Sequence, residues 1–211
     1  MSDTTRAAHA PGHDTPPPLR VAVIIGSTRK DRFGPVPARW ITGRLRSRPD
    51  LDTDLIDLAE YEMPVLGGND PDEPLPEPVK ALGERLQQAD AFVVVTPVYN
   101  RSYPASLKSV VDWFHEEWAA KPVGFVSYGG MTGGVQAVEH LRAVFAEFNT
   151  VSPREAVLFP NFWEVFDHDG RLVDTEAVAP AADVFTDQLL WWARALRRAR
   201  AESPFPVEDG Q

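Results

Sequence analysis

Hydroxyl and cationic side chains are concentrated in one short segment, residues 26–34, which reads Gly-Ser-Thr-Arg-Lys-Asp-Arg-Phe-Gly. Its two hydroxyls and three cations stand out in a chain whose net charge is -10. Guanidinium and hydroxyl groups bind anions through charge-assisted hydrogen bonds, and a helix that begins after such a segment adds free N–H groups and its dipole. The segment therefore predicts an anion site. The alternative is that Ser27 and Thr28 cap a helix and that the cations are solvated.

A second segment, residues 96–104, combines stiff backbone with polar and aromatic side chains. It reads Thr-Pro-Val-Tyr-Asn-Arg-Ser-Tyr-Pro, so that prolines bracket it at both ends. Asn100 and the exposed main chain can hydrogen-bond a flat heterocycle, while Tyr99 or Tyr103 can pack beside the ring. The alternative is a rigid connector whose tyrosines fill the subunit surface.

Four glycines form a third unusual segment, at Gly129, Gly130, Gly133 and Gly134, directly after Ser127 and Tyr128. Glycine allows the backbone to approach a ligand closely and to adopt positive φ, but it also serves in ordinary turns. The three segments carry more information together than any one of them does alone, because each directly follows an apolar run of strand length.

The elements that must position these segments are predicted from hydrophobic patterning. Apolar runs that are buried on both faces are typical of parallel strands covered by helices. The predicted strands are 19–25, 51–58, 91–96, 122–127 and 154–160. Apolar stripes at helical spacing alternate with them, including one from Pro104 to Trp118 and a last one over 180–201. A turn is predicted at 167–170.

This alternation predicts an α/β fold with a parallel sheet, since parallel neighbours require crossover connections of one hand. Ligands of such sheets bind at the carboxyl ends of the strands, where the strand order reverses. The loops after the first, third and fourth strands are the three unusual segments, so we expect them to converge on one site.

Length and composition predict a single domain. Of 211 residues, 19–202 are assigned to that domain, 1–18 to a disordered leader and 203–211 to a loose tail. The chain has no cysteine, which excludes disulfides, cysteine-ligated metals and a cysteine nucleophile. A surface with this negative charge repels nucleic acid. No apolar run is long enough to span a membrane and no signal peptide is recognised, so a cytoplasmic location is expected.

Several other chemistries lack their motifs. Neither a P-loop nor a G-x-G-x-x-G fingerprint is present, and no G-x-S-x-G elbow accompanies the histidines of the folded part. His115 and His140 fall on predicted helices and are interpreted as surface or packing residues. The sequence His115-Glu116-Glu117 lacks the second histidine of a zinc helix, and no metal site is predicted.

Taken together, the three segments resemble the NADPH-dependent FMN reductase family. The resemblance covers about 19–148, and its second motif is the most specific part. It rests on Gly26-Ser27-Thr28-Arg29, on Thr96-Pro97-Val98-Tyr99-Asn100 with Ser102, Pro104, Leu107 and Lys108, and on Ser127-Tyr128-Gly129-Gly130. It implies a flavodoxin-like three-layer sandwich with a five-stranded parallel sheet in the order 2-1-3-4-5.

The resemblance also implies bound FMN, with NADPH or NADH as co-substrate, and it assigns the cofactor-binding residues. The phosphate loop corresponds to Ser27, Arg29, Arg32, Phe33 and Gly34, and the flavin-ring loops correspond to Pro97, Val98, Tyr99, Asn100, Ser127, Tyr128, Gly129 and Gly130. Many members carry Ser and Asn at the positions of Arg32 and Gly34, and Glu at that of Val98. No side chain is expected to be catalytic, because the hydride chemistry belongs to flavin N5.

The function expected from this resemblance is two-electron reduction of flavins, quinones or similar small acceptors by ping-pong hydride transfer. Two alternatives remain open at this point, a flavodoxin-type one-electron carrier and a cofactor-free interaction module that keeps the fold. The 104–118 segment carries more apolar residues than one stripe requires, Trp113 among them, which predicts an interface. The resemblance implies that the assembly is a homodimer or homotetramer.

Overall fold

The computed structural model describes residues 17–64 and 74–206, which form alternating strands and helices. The predicted leader and tail lie largely outside these residues and stay predictions. The strands are β1 (Leu19–Ile25), β2 (Leu51–Asp57), β3 (Ala91–Pro97), β4 (Val123–Tyr128) and β5 (Val157–Phe159). The helices are α1 (Pro35–Arg46), α2 (Glu77–Gln87), α3 (Ala105–Trp113), α4 (Val135–Ala146), α5 (Phe162–Val165) and α6 (Thr175–Glu202).

The five strands form one sheet in the order β2-β1-β3-β4-β5, and all neighbours are parallel. The predicted fold class and strand order are therefore confirmed. In the centre of the sheet Val23 of β1 pairs with Leu55 of β2 on one side and with Val93 of β3 on the other. The second strand lies on one side of β1 and the third strand lies on the other side. The switch point of the strand order is therefore between β1 and β3.

Each face of the sheet carries its own hydrophobic core, because successive side chains of a strand point to opposite faces. Ala22 and Ile24 of β1 pack with α2, α3 and α4, whereas Val21, Val23 and Ile25 pack with α1 and α6. Both faces of β3 are completely buried, which explains its continuous apolar run.

The predicted 104–118 helix is too long. Helix α3 ends at Trp113, since Phe114 is extended at φ -127°, and residues 116–120 form turns. Phe114 and Trp118 are still buried, and the Trp118 ring lies 4.7 Å from that of Phe92. The apolar spacing predicted correctly that Phe114 and Trp118 are buried. They are buried because the chain turns after α3, and not because the helix continues.

The apolar surface that was expected on α3 is partly covered within the subunit. The indole N–H of Trp113 donates to the carbonyl of Pro64 at 2.8 Å, and the Ser109 hydroxyl donates to the same carbonyl at 3.1 Å. Trp113 therefore holds the segment after β2 against α3 and is not available as a fully exposed patch.

Two other bounds differ from the sequence prediction. Strand β5 has three residues instead of seven, because it pairs only with the end of β4 at the edge of the sheet. Helix α6 begins five residues earlier than predicted, where the Asp174 carboxylate accepts a hydrogen bond from the N–H of Ala177 at 3.1 Å and caps it. The predicted turn is confirmed, with the N–H of Gly170 donating to Asp167.

No helix of the described ranges, 17–64 and 74–206, is both long and apolar enough to cross a membrane.

A charged network closes the amino-terminal edge of the sheet, opposite the three loops. Asp90 accepts hydrogen bonds from the backbone N–H of Arg20 and from Arg197, and Arg200 lies 3.5 Å from it. Lys121 lies beside this network with only 5% of its surface exposed. Its ammonium group donates to the carbonyls of two α2 residues, Leu86 at 3.1 Å and Gln87 at 3.0 Å.

The pKa of Lys121 is lowered from its usual 10.5 to about 8, chiefly by burial and also by the charge of Arg200, whereas Asp90 and Glu117 oppose the shift. In the unfolded chain this ammonium keeps its proton to a higher pH than in the folded chain. Between about pH 8 and pH 10.5 the unfolded state therefore binds more protons, and the contribution of Lys121 to the free energy of unfolding rises with pH.

We expect Lys121→Met to remove this rise. The free energy of unfolding, measured by urea titration at pH 8 to 10, should increase with pH less in the variant than in the wild-type protein. Lys80→Met, at an exposed position of α2, is the matched control and should follow the wild-type curve. Parallel curves for wild type and Lys121→Met would contradict the assignment of the low pKa to Lys121.

Candidate functional site

The loops after β1, β3 and β4 enclose a cavity of about 500 Å³ at the carboxyl edge of the sheet. The predicted convergence of the three segments is therefore found in the structure. The cavity is lined by Arg29, Lys30, Asp31, Arg32, Phe33, Pro97, Val98, Tyr99, Tyr128, Gly129 and Phe162. A volume of this size is in the range of small-molecule and cofactor sites.

The cationic loop presents its groups to the cavity in two different ways. Arg29 is exposed and forms no ion pair with any residue that the structure describes. Arg32 instead pairs with Asp57 at the end of β2, and 19% of its side chain is exposed. The other carboxylate oxygen of Asp57 accepts from the N–H of Ala59 at 3.1 Å, so this ion pair ties the loop to the end of β2.

The expectation that the first turn of α1 supplies free N–H groups is wrong. Pro35 and Pro37 have no N–H, and the N–H of Val36 already donates to the carbonyl of Phe33 at 2.9 Å. The loop itself supplies donors in their place, because the N–H groups of residues 28–33 donate to no other backbone group in the described ranges. The two prolines were visible in the sequence and could have corrected the expectation.

The loop after β3 is held by a tight turn. Tyr99 and Ser102 exchange two backbone hydrogen bonds, at 2.7 and 2.9 Å, and the residues between them, Asn100 and Arg101, have φ of 49° and 68°. Positive φ at both central positions is typical of a type I′ turn. Asn100 therefore lies exposed at the tip, outside the cavity lining.

Two side-chain contacts fasten this turn to its surroundings. The hydroxyl of Tyr99 lies 2.8 Å from that of Ser27, which is completely buried at the end of β1. On the other side of the turn, the Ser102 hydroxyl lies 3.0 Å from Nδ1 of His140 on α4. Ser27 thus reaches the cavity through Tyr99, and the first two loops are coupled directly.

The glycine-rich loop uses its polar groups mainly to support the site. The carbonyl of Gly130 accepts from the N–H groups of Gly133 and Asn161, and the hydroxyl of Ser127 donates to the carbonyl of Gly133 at 2.7 Å. Gly129 forms part of the wall, and a Cβ on it would lie 2.7 Å from Val98. Only glycine allows the second and third loops to approach so closely.

An aromatic cluster forms the wall between the cationic loop and the end of β4. The ring of Phe162 lies 4.5 Å from that of Phe33 and 5.4 Å from that of Tyr128. Burial raises the pKa of Tyr128, so its hydroxyl keeps its proton. Sequence reasoning missed Phe162, because α5 lies beyond the predicted motifs and reaches the cavity only through the β5 connection.

The predicted residues therefore divide into two groups. Eight of them line the cavity, namely Arg29, Arg32, Phe33, Pro97, Val98, Tyr99, Tyr128 and Gly129. The other five support it from behind or lie at its margin, namely Ser27, Gly34, Asn100, Ser127 and Gly130. In the ranges 17–64 and 74–206 no cluster of three or more histidine or carboxylate side chains could hold a metal ion.

Comparison with known proteins points to one family. Residues 19–164 match the family described as NADPH-dependent FMN reductase. The chain is 30% identical over 186 residues to a 2-hydroxy-1,4-benzoquinone reductase of a Burkholderia species, covering 85% of this chain and 98% of that one. It is 37% identical over 122 residues to an NAD(P)H-dependent FMN reductase of Schizosaccharomyces pombe, covering 54% of this chain and 60% of that one.

A solved structure supports the same comparison. FerB, a flavoenzyme NAD(P)H:acceptor oxidoreductase of Paracoccus denitrificans, superimposes with a TM-score of 0.67 at 26% identity. The match covers 83% of this chain and 98% of FerB. The family match over 19–164 spans all five strands and the three loops of the cavity.

Proposed function

The chain belongs to the NADPH-dependent FMN reductase family and is an FMN- and NAD(P)H-dependent oxidoreductase, and we propose that its single cleft serves reductant and acceptor in turn. In this proposal NAD(P)H binds over the flavin, leaves after hydride transfer, and is replaced by a small acceptor such as a quinone or a free flavin. The kinetics are then ping-pong.

The observation that carries the proposal is the composition of the cavity at the switch point. One end offers an exposed guanidinium, Arg29, and loop N–H groups that donate to no other backbone group among the described residues. The other end is bounded by Val98, Tyr99 and the bare backbone of Gly129. FMN has an anionic phosphate end and a flat ring end, so a cavity of about 500 Å³ with a cationic, donor-rich end and a largely apolar end fits it.

The residues assigned from the resemblance fit the two ends of the cavity. Arg29 and Arg32, with Ser27 behind them, would hold the phosphate, while Phe33 and Gly34 shape the loop that carries its N–H donors. The segments 97–100 and 127–130 would bound the ring, which allows an acceptor to lie against it. FMN when bound supplies hydride acceptance and donation at N5, and the protein's part is binding, orientation and electrostatics.

The two alternatives fit this site and these relatives less well. A cofactor-free interaction module gives no reason for a cationic loop and an aromatic wall to enclose a cavity. A one-electron carrier would bind FMN but would not oxidise NAD(P)H with a small acceptor. Flavin absorbance of the purified protein tests the first alternative, and NADPH oxidation with a quinone tests the second.

Removing the free guanidinium should weaken cofactor binding. We expect Arg29→Ala to lower FMN affinity about 10- to 100-fold, because a charge-assisted hydrogen bond commonly contributes roughly 1.5 to 3 kcal/mol. Titration of the apoprotein, followed by quenching of FMN fluorescence, measures this change. Arg39→Ala, at an exposed position of α1, controls for net charge, and an equal loss in both variants would refute a specific role for Arg29.

Acceptor selectivity should be low. The ring end of the cavity is bounded by Pro97, Val98 and Gly129, which place few hydrogen-bonding side chains near an acceptor. Apolar discrimination is worth only about 1 to 3 kcal/mol, so kcat/KM over a panel of quinones, flavins and nitroaromatics should vary within about 100-fold. An acceptor that exceeds all others by about 10⁴-fold would contradict this proposal.

We also propose that the protein is a homodimer or homotetramer in the cytoplasm. Three large apolar side chains support association, since Met131, Trp163 and Val173 are 88%, 59% and 68% exposed beside α5. Such exposed apolar groups are typical of interfaces. Light scattering at micromolar concentration should give a multiple of 23.4 kDa, and Trp163→Gln should shift the mass toward the monomer. A monomeric wild-type mass would contradict the proposal.

A further inference from the structure

Two buried hydrogen-bond donors beside the cationic loop have no acceptor among the residues that the structure describes, although the oxygen of one of them faces the N–H of Gly34. They are the hydroxyl of Tyr128 and the Nε of Arg32. Tyr128 is only 3% exposed, and both residues line the cavity. Buried polar groups in folded proteins are almost always paired, so each unpaired one requires an explanation. Of the five buried side-chain atoms without a partner in the described residues, these two belong to the wall of one ligand site, whereas those of Arg20, Thr42 and Thr53 lie elsewhere.

The surrounding packing fixes where the Tyr128 hydroxyl lies. Its ring is held edge-on against Phe33, with centroids 5.7 Å apart, and against Phe162. A Cβ on Gly34 would lie 3.1 Å from the hydroxyl oxygen, so the hydroxyl abuts the end of the cationic loop. Although Tyr128 belongs to the glycine-rich segment by sequence, its polar atom therefore lies against the phosphate loop.

The chemistry of this position favours an anionic acceptor. The pKa of Tyr128 is raised by burial, so the hydroxyl is a proton donor at every physiological pH. Arg32 is close enough for its charge to act on that hydroxyl, and its Nε is also a donor. Two donors without an acceptor, one of them cationic, are complemented by a ligand oxygen that carries negative charge.

We propose that the Tyr128 hydroxyl donates a hydrogen bond to the phosphate of FMN, with Arg32 Nε as a second donor from the buried side. This inference rests on the proposed placement of the phosphate and deepens it, because it moves Tyr128 from the flavin-ring end to the phosphate end. The phosphate is then held between Arg29 at the solvent side and Tyr128 at the protein side.

The experiment compares FMN with riboflavin, which differ only in the phosphate. We expect Tyr128→Phe to weaken FMN binding by about 10-fold or more, the effect of losing one hydrogen bond to a charged group, and to leave riboflavin affinity unchanged. Equal losses for both ligands would return Tyr128 to the ring end, and an unchanged FMN affinity would also overturn the proposal. Tyr61→Phe, whose hydroxyl accepts from Arg85 outside the cavity lining, is the matched control and should change neither affinity.

Stability of the apoprotein gives an independent readout. Because the proton of the Tyr128 hydroxyl has no acceptor among the described residues, Tyr128→Phe should lower the melting temperature of the apoprotein little, since only the contact of its oxygen with the N–H of Gly34 is lost. A marked loss would mean that the hydroxyl bonds to the protein itself, which would overturn the proposal. A buried water between the two donors predicts that FMN and riboflavin affinities both stay unchanged.

If riboflavin binds too weakly to titrate, inorganic phosphate is the alternative probe for a contact between Tyr128 and the phosphate. We expect millimolar phosphate to raise the melting temperature of the wild-type apoprotein more than that of Tyr128→Phe, and equal shifts would overturn the proposal. A wild-type protein that binds no FMN would refute the proposed cofactor placement itself. Wild-type binding together with an unchanged FMN-to-riboflavin ratio in Tyr128→Phe would refute only this inference.

Discussion

The pairing of β1 with β3 is the interaction on which the site depends. It continues one residue past the strand, where the N–H of Gly26 donates to the carbonyl of Val95 at 2.9 Å. The carbonyl of Gly26 accepts from the hydroxyl of Ser106 on α3, and a Cβ on Gly26 would lie 3.1 Å from Leu107. The cationic loop therefore leaves the sheet from a rigid point, held by a strand on one side and a helix on the other.

From that fixed point the loop is spread over the edge of the sheet by specific contacts. Ser27 reaches across to Tyr99 of the second loop, and Arg32 reaches back to Asp57 of β2. Between these two anchors the backbone of residues 28–33 keeps its N–H groups unpaired with other described backbone, and Arg29 remains exposed. Rigid anchors around unused donors preorganise the loop for an anion, which reduces the entropy that binding costs.

Stability and ligand binding are placed at opposite edges of the sheet. At the amino-terminal edge Asp90 accepts from the backbone N–H of Arg20 and pairs with Arg197 and Arg200, and the Lys121 ammonium donates to the end of α2. At the carboxyl edge the hydroxyl proton of Tyr128 and the Nε of Arg32 are left without acceptors in the described structure. Unpaired polar groups destabilise the folded chain, and at this edge a ligand can pair them.

Local pattern was sufficient for the parallel strands and for the convergence of the three loops on one cavity. Continuous apolar runs marked β1 and β3 because both of their faces are buried, and the segments that follow them carried the residue types of the cavity. Pattern failed at the end of α3, where a turn replaces the predicted helix, and at β5, where pairing at the edge of the sheet is limited to three residues. Burial and hydrogen bonding within the tertiary fold decided those bounds, and local propensity could not.

The sequence by itself determined the succession of strands and loops along the chain, the charge of the first loop and the absence of backbone N–H donors at Pro35 and Pro37. Only the tertiary structure decided that Arg32 pairs with Asp57, that Phe162 completes the wall, and that the Tyr128 hydroxyl lies against Gly34. The reason is physical. A side chain's partners depend on the packing of segments far apart in the chain, and spacing along one segment holds no information about them.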